Sequence, residues 1–190
     1  MKSKAFSIVA IIIALASWVQ GQSNRPYVIQ NGDTIPCKSI SFGYSRRGAL
    51  EFAQYIDVEG RKVRSEAEQG LPNVTSFFTK DTVFDRVPIF ADKTDGPVWY
   101  APRMADGKIK LYFVNTTYVY NDAGNTGGYY RFTFQMPDGN FYKVTQGNVN
   151  KVIKPYVQQC KNFTERYKGN YKADETSFYE LITIYNAQCK

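Results

Sequence analysis

The chain has 190 residues and carries 24 Lys and Arg against 17 Asp and Glu, a net charge of +7, with no histidine anywhere. The missing imidazole excludes Ser-His-Asp and Cys-His nucleophilic catalysis, every His-containing zinc site and any histidine-based pH switch. With only Cys37, Cys160 and Cys189 as thiols, an all-cysteine zinc site is not expected either, and no cofactor is implied.

The first element is a leader. Lys2 and Lys4 form a short basic start, and Ala5 to Val19 then runs almost without polar interruption, the pattern of a secretory signal peptide. Val19-Gln20-Gly21 places cleavage between Gly21 and Gln22. The apolar run falls short of the roughly 20 residues that span a bilayer, and no cysteine stands at the cleavage point to take a lipid. The expected product is secreted or periplasmic, without a transmembrane span. Only Lys2 and Lys4 are lost with residues 1–21, which leaves 22 basic and 17 acidic side chains, a net of +5. A chain of roughly 170 residues suits one domain with a real core.

From Pro26 the sequence reads as short strands separated by turn chemistry, and its 15 Tyr and 13 Phe favour pleated, half-buried surfaces. Tyr27–Gln30 and Thr34–Phe42 flank Asn31-Gly32, a hairpin signal because both residues tolerate positive φ. Leu50–Val58 and Arg61–Val63 flank Glu59-Gly60 in the same way, and the polar stretch Ser65–Asn73 reads as a loop. Val74–Phe78 and Val83–Phe90 are further strands. Val98–Met104 and Ile109–Tyr120 form a hairpin around Asp106-Gly107, and Tyr129–Gln135 and Phe141–Thr145 form another around Pro137-Asp138-Gly139. The Gly- and Asn-rich stretch Asn121–Gly128 between them reads as a loop.

After Gly147 the apolar period lengthens. Val149, Val152, Ile153, Tyr156, Val157, Cys160 and Phe163 recur at helical spacing, with Asn148 as cap, and Pro155 is expected to kink this helix or delay its start. Phe178, Leu181, Ile182 and Tyr185 stripe a second helix opened by Asp174 or Thr176. The expected fold is α+β: an antiparallel β-meander sheet or partly open barrel over residues 22–147, followed by two C-terminal helices over residues 148–190 packed on the same domain.

Three cysteines in an exported chain imply one disulfide and one spare thiol. Cys160 with Cys189 is the expected pair, and Cys37 with either of them is the alternative. In a strict antiparallel two-helix hairpin the first pair would lie on the order of 10 Å apart along the axis, at about 1.5 Å per residue, beyond the reach of a disulfide. The pairing therefore requires crossed helices or a chain end that folds back after Tyr185.

Candidate chemistry is sparse. Asp33, Asp106 and Asp138 fall in turns, where Asp bonds local backbone. Trp99, Tyr100 and Arg103, with Tyr129, Tyr130 and Arg131, compose a candidate aromatic and basic binding rim, since aromatic faces take sugars, peptides and cations. The alternative is that these aromatics simply pack the sheet. Lys and Arg are scattered along the chain, so no nucleic-acid partner is expected. Asn73, Asn115 and Asn162 head sequons that matter only in a eukaryotic source.

The leader ending Val19-Gln20-Gly21, the opening Tyr27-Val28-Ile29-Gln30-Asn31-Gly32-Asp33-Thr34 and the tail from Tyr156 through Cys160 to Tyr185-Asn186-Ala187-Gln188-Cys189 together resemble small secreted or periplasmic proteins of Bacteroidota-type bacteria. That resemblance implies an envelope or exterior address and favours the Cys160–Cys189 disulfide, and it implies no catalytic residues. The expectation is a non-enzymatic binding or interaction module whose partner is an envelope protein or glycan. A small-molecule carrier, similar to lipocalins in size, export and C-terminal helix, is the alternative, although Trp99 does not fit their Gly-x-Trp signature. A carboxylate-dependent hydrolase is the third reading.

Overall fold

A computed structural model describes residues 25–44, 50–69, 73–88, 98–119 and 126–189, with side chains described throughout except at 115–119 and 126–130. The predicted leader, Tyr120 and residues 121–125 lie outside the described residues. Among the described residues ten antiparallel strands form one sheet: β1 (Tyr27–Gln30), β2 (Asp33–Tyr44), β3 (Leu50–Asp57), β4 (Lys62–Glu66), β5 (Val74–Phe78), β6 (Val83–Pro88), β7 (Val98–Ala105), β8 (Lys110–Val119), β9 (Thr126–Gln135) and β10 (Phe141–Lys143). Their order is β10-β9-β8-β7-β6-β5-β1-β2-β3-β4, so two meanders join where β5 returns beside β1.

Turn chemistry fixes the hairpins as the sequence predicts. Asn31 and Gly32 have φ of 53° and 88°, the left-handed pair of a type I′ turn. Two strand boundaries differ from expectation by three residues. β4 continues through Glu66 into the stretch read as a loop, because Ser65 is wholly buried and bonds Tyr100 across the sheet. β9 starts at Thr126, and Gly127 and Gly128 pair with Tyr118 and Thr117, so the long hairpin ladder holds glycines that local propensity assigns to a loop.

The sheet curls without closing into a barrel. The end of β4 comes over β6 and β7, where Ser65 Oγ lies 2.8 Å from Tyr100 Oη and Arg86 Nε donates to the Ala67 carbonyl at 2.6 Å. Inside the curl Val28, Cys37, Ala53, Tyr55, Val74, Phe77 and Tyr100 form a core.

The helical region covers the other end of the sheet. α1 (Gln146–Asn148), a π-helical turn (Val149–Ile153) and α2 (Lys154–Val157) follow without a break; α3 (Lys161–Arg166) and α4 (Glu175–Gln188) complete it. Thr145 is the cap, its hydroxyl accepting from Asn148 N at 3.2 Å, three residues earlier than predicted. Asn148 instead spends its side chain on the Lys143 carbonyl. Pro155 lacks an N–H and crowds the preceding turn, and the wide π-helical turn directly before it absorbs that crowding. The predicted helix through Phe163 breaks at Gln158 and Gln159, so its stripe is split between α2 and α3. Asp174 caps α4 by accepting from Ser177 N at 2.9 Å. Val149, Ile153, Val157, Phe163, Phe178, Leu181, Ile182 and Tyr185 bury together against Leu111 and Phe134 of the sheet and Ile109 and Met136 of its adjoining turns. Each such aliphatic or phenyl side chain contributes roughly 1.5–3 kcal/mol.

Cys160 and Cys189 form the disulfide, with Cα atoms 6.2 Å apart. The two-helix geometry that would separate them does not arise: Cys160 lies in the extended break before α3, and Cys189 caps α4. Cys37 is a buried free thiol. No helix among the described residues is long and apolar enough to cross a membrane.

Candidate functional site: a fork between two strands

The β7–β8 ladder is short. Ala105 pairs with Leu111 and Arg103 with Tyr112, with a register shift between them. Beyond Arg103, β7 stays with β6 as far as Pro88↔Val98, and beyond Tyr112, β8 stays with β9 as far as Val119↔Thr126. The two strands thus part company at Pro102, which has no N–H to donate to a ladder. Successive strand residues point to opposite faces, yet both neighbours Trp99 and Tyr100, and both neighbours Phe113 and Val114, line the resulting cleft. Backbone as well as side-chain atoms therefore border the cleft where β7 and β8 separate. Phe84, Pro102, Leu50 and Tyr44 complete a cavity of about 160 Å³ with no charged side chain in its lining.

The base of the fork is an ionic knot. Arg103 donates through Nε and Nη2 to the two carboxylate oxygens of Asp85 at 2.7 and 2.8 Å, and Nη1 lies 2.9 Å from Asp106 Oδ2. Ser76 Oγ donates to Asp85 at 2.6 Å. The buried Tyr112 phenol is pushed well up by burial and then by the Asp85 carboxylate beside it. In the cleft wall, burial also raises Tyr100, whose hydroxyl is committed to Ser65.

Of the predicted rim, Trp99 and Tyr100 line the cleft and Arg103 anchors its base. Arg131 is buried on β9 opposite Val114 and borders a separate concavity with Phe132, Lys143 and Thr145. The side chains of Tyr129 and Tyr130 lie outside the described residues. Sequence reasoning misses Phe84, Pro102 and Phe113, which read as ordinary strand residues; the proline is the one local signal of a fork.

Several of the carboxylates are structurally engaged. Asp106 and Asp138 accept from the backbone N–H groups of Gly107 and Asn140 in their turns. The buried Asp57 accepts from the backbone of Glu59 and Arg61 and from Arg61 Nε, and the Arg61 guanidinium holds its carboxyl below the ordinary range. Among the described residues no three His, Cys, Asp or Glu side chains cluster as metal ligands.

No protein-family model matches the chain, and neither a curated protein nor a solved structure matches it.

Proposed function

We propose that this chain is an exported, non-enzymatic binding module of a bacterial envelope, and that its contact surface is the β7–β8 fork. The observation that carries this reading is the cleft itself: a gap between β7 and β8 beyond their short ladder, lined by Trp99, Tyr100, Phe84 and Phe113, with the Arg103–Asp85 pair at its base. An apolar cavity of about 150 Å³ accepts a benzene-sized guest, so the fork suits one ring or branched aliphatic group of an envelope protein. The interior of the curl is filled by Tyr55, Phe77 and Tyr100, each at most 2% exposed, which favours a ligand at the fork over one in a lumen.

Trp99 is the one tryptophan after residue 21, so its emission reports on the cleft. Immobilised wild-type protein and a Trp99→Ala, Phe113→Ala variant would be exposed to envelope extract of the native source, and retained proteins compared. The expected result is a partner held by the wild type and lost by the variant, and that partner, once purified, shifts Trp99 emission. Retention of the same set by both proteins, or an unmoved emission, overturns the reading.

A further inference from the structure

A second concavity, of about 600 Å³, lies around the disulfide beside the β7–β8 turn and shares no lining residue with the fork. Its walls are fixed. Cys160 and Cys189 are covalently joined, the rings of Tyr156 and Tyr185 pack with centroids 5.8 Å apart, and the last turn of α4 is tied to the β7–β8 turn by Asn186. Its lining is polar and carries three primary amides, Gln159, Asn162 and Gln188, together with Lys108. Gln159, Asn162 and Lys108 are exposed. The concavity falls within the range of roughly 300–1,000 Å³ usual for ligand sites.

Each amide offers one acceptor and two donors in a plane, which matches the alternating donor and acceptor capacity of adjacent sugar hydroxyls. The half-buried Tyr156 ring adds an aromatic edge of the kind that packs against the C–H face of a pyranose. Phosphate would call for several cations, and the lining supplies one. A lipid chain would call for an apolar wall, and the lining has little. We infer that this concavity is a carbohydrate site that takes one or two terminal sugar units through Gln159, Asn162 and Gln188. The inference is independent of the fork.

The test is a titration of ¹⁵N-labelled protein with chitotriose, mannotriose, xylotriose and trigalacturonate, read at the side-chain NH₂ resonances of the three amides. The expected result is that at least one sugar shifts these resonances, and that a Gln159→Ala, Gln188→Ala variant binds it at least tenfold more weakly while keeping its disulfide mass and melting temperature. If none of the four sugars moves the amides, or if the variant binds equally well, the assignment fails. Sugar binding that moves Trp99 emission and leaves the amides still also overturns it.

Discussion

A Cβ at Gly107 would lie 2.5 Å from Cγ of Asn186, so the β7–β8 turn accepts α4 only because residue 107 has no side chain. Asn186 uses that closeness fully. Its Oδ1 accepts from Ile109 N at 3.1 Å, and its Nδ2 donates to the carbonyls of Asp106 and Ile109 at 3.0 and 2.7 Å. Asn186→Ala is expected to cost roughly 1–3 kcal/mol, because the backbone polar groups of a buried Ile109 lose their partner. Gly107→Ala meets both the clash and a φ of 142°. In a thermal double-mutant cycle its penalty shrinks in the Asn186→Ala background without vanishing, since the strained backbone remains. Additive penalties would deny the clamp.

The same last turn of α4 ends in the disulfide, which closes a loop of sequence separation 29. Chain entropy then assigns it about 3–4 kcal/mol. A Cys160→Ser, Cys189→Ser variant should therefore show a lower urea midpoint and a somewhat larger m-value, because the unfolded chain, freed of the loop, exposes more surface. Iodoacetamide should label no thiol in the native wild type and one, Cys37, after unfolding. Label found at Cys160 or Cys189 in the unfolded, unreduced protein would mean mixed pairing.

What the sequence made legible follows the range over which each feature is decided. Asn31-Gly32 and the α4 stripe of Phe178, Leu181, Ile182 and Tyr185 depend on φ preference and period, and both are readable from a few neighbouring residues. The placement of β5 beside β1, and the parting of β7 from β8, depend on which distant strand offers the better ladder. No local pattern encodes that choice. The break at Gln158 and Gln159 was hidden for a related reason. The helical period continues from Val157 to Phe163 across it, because both segments bury against the same core. The rim reading grouped Trp99 with Arg131 by composition, and only the register places them at different concavities.

Cys37 gives stability an alkaline limit. It is 2% exposed, and burial pushes its thiol from 9.0 up to about 11, with the nearby Asp57 charge acting in the same direction. The folded protein thus keeps the neutral thiol at a pH where the unfolded chain has already ionised. This contribution is fully present below pH 9 and is lost as pH rises from there toward 11. The buried phenols of Tyr100 and Tyr112, also raised, add the same sign at higher pH. Melting temperature measured from pH 7 to 11 should begin to fall near 9 in the wild type. In Cys37→Ala, less stable at neutral pH for its lost packing, the decline should begin later. Parallel curves would remove Cys37 as the cause.

Arg103 separates two roles that the sequence leaves merged. Its guanidinium is 11% exposed and committed to Asp85 and Asp106, so its work is to hold the base of the fork. Asp85→Ala strips Arg103 of its two-pronged partner and leaves it only the exposed Asp106, so it should cost about 3 kcal/mol, the lower end for a broken buried pair. Arg103→Lys should also destabilise, because an ammonium cannot reproduce the two-pronged bond to Asp85. The double change Asp85→Leu, Arg103→Met removes both charges and should recover most of the loss, since apolar replacement of a buried pair is often close to neutral. Denaturant midpoints of the four proteins decide this. Trp99 emission then reads the cleft: the double variant, still folded, should show a shifted emission maximum, and a maximum matching the wild type would mean that strand pairing alone shapes the fork.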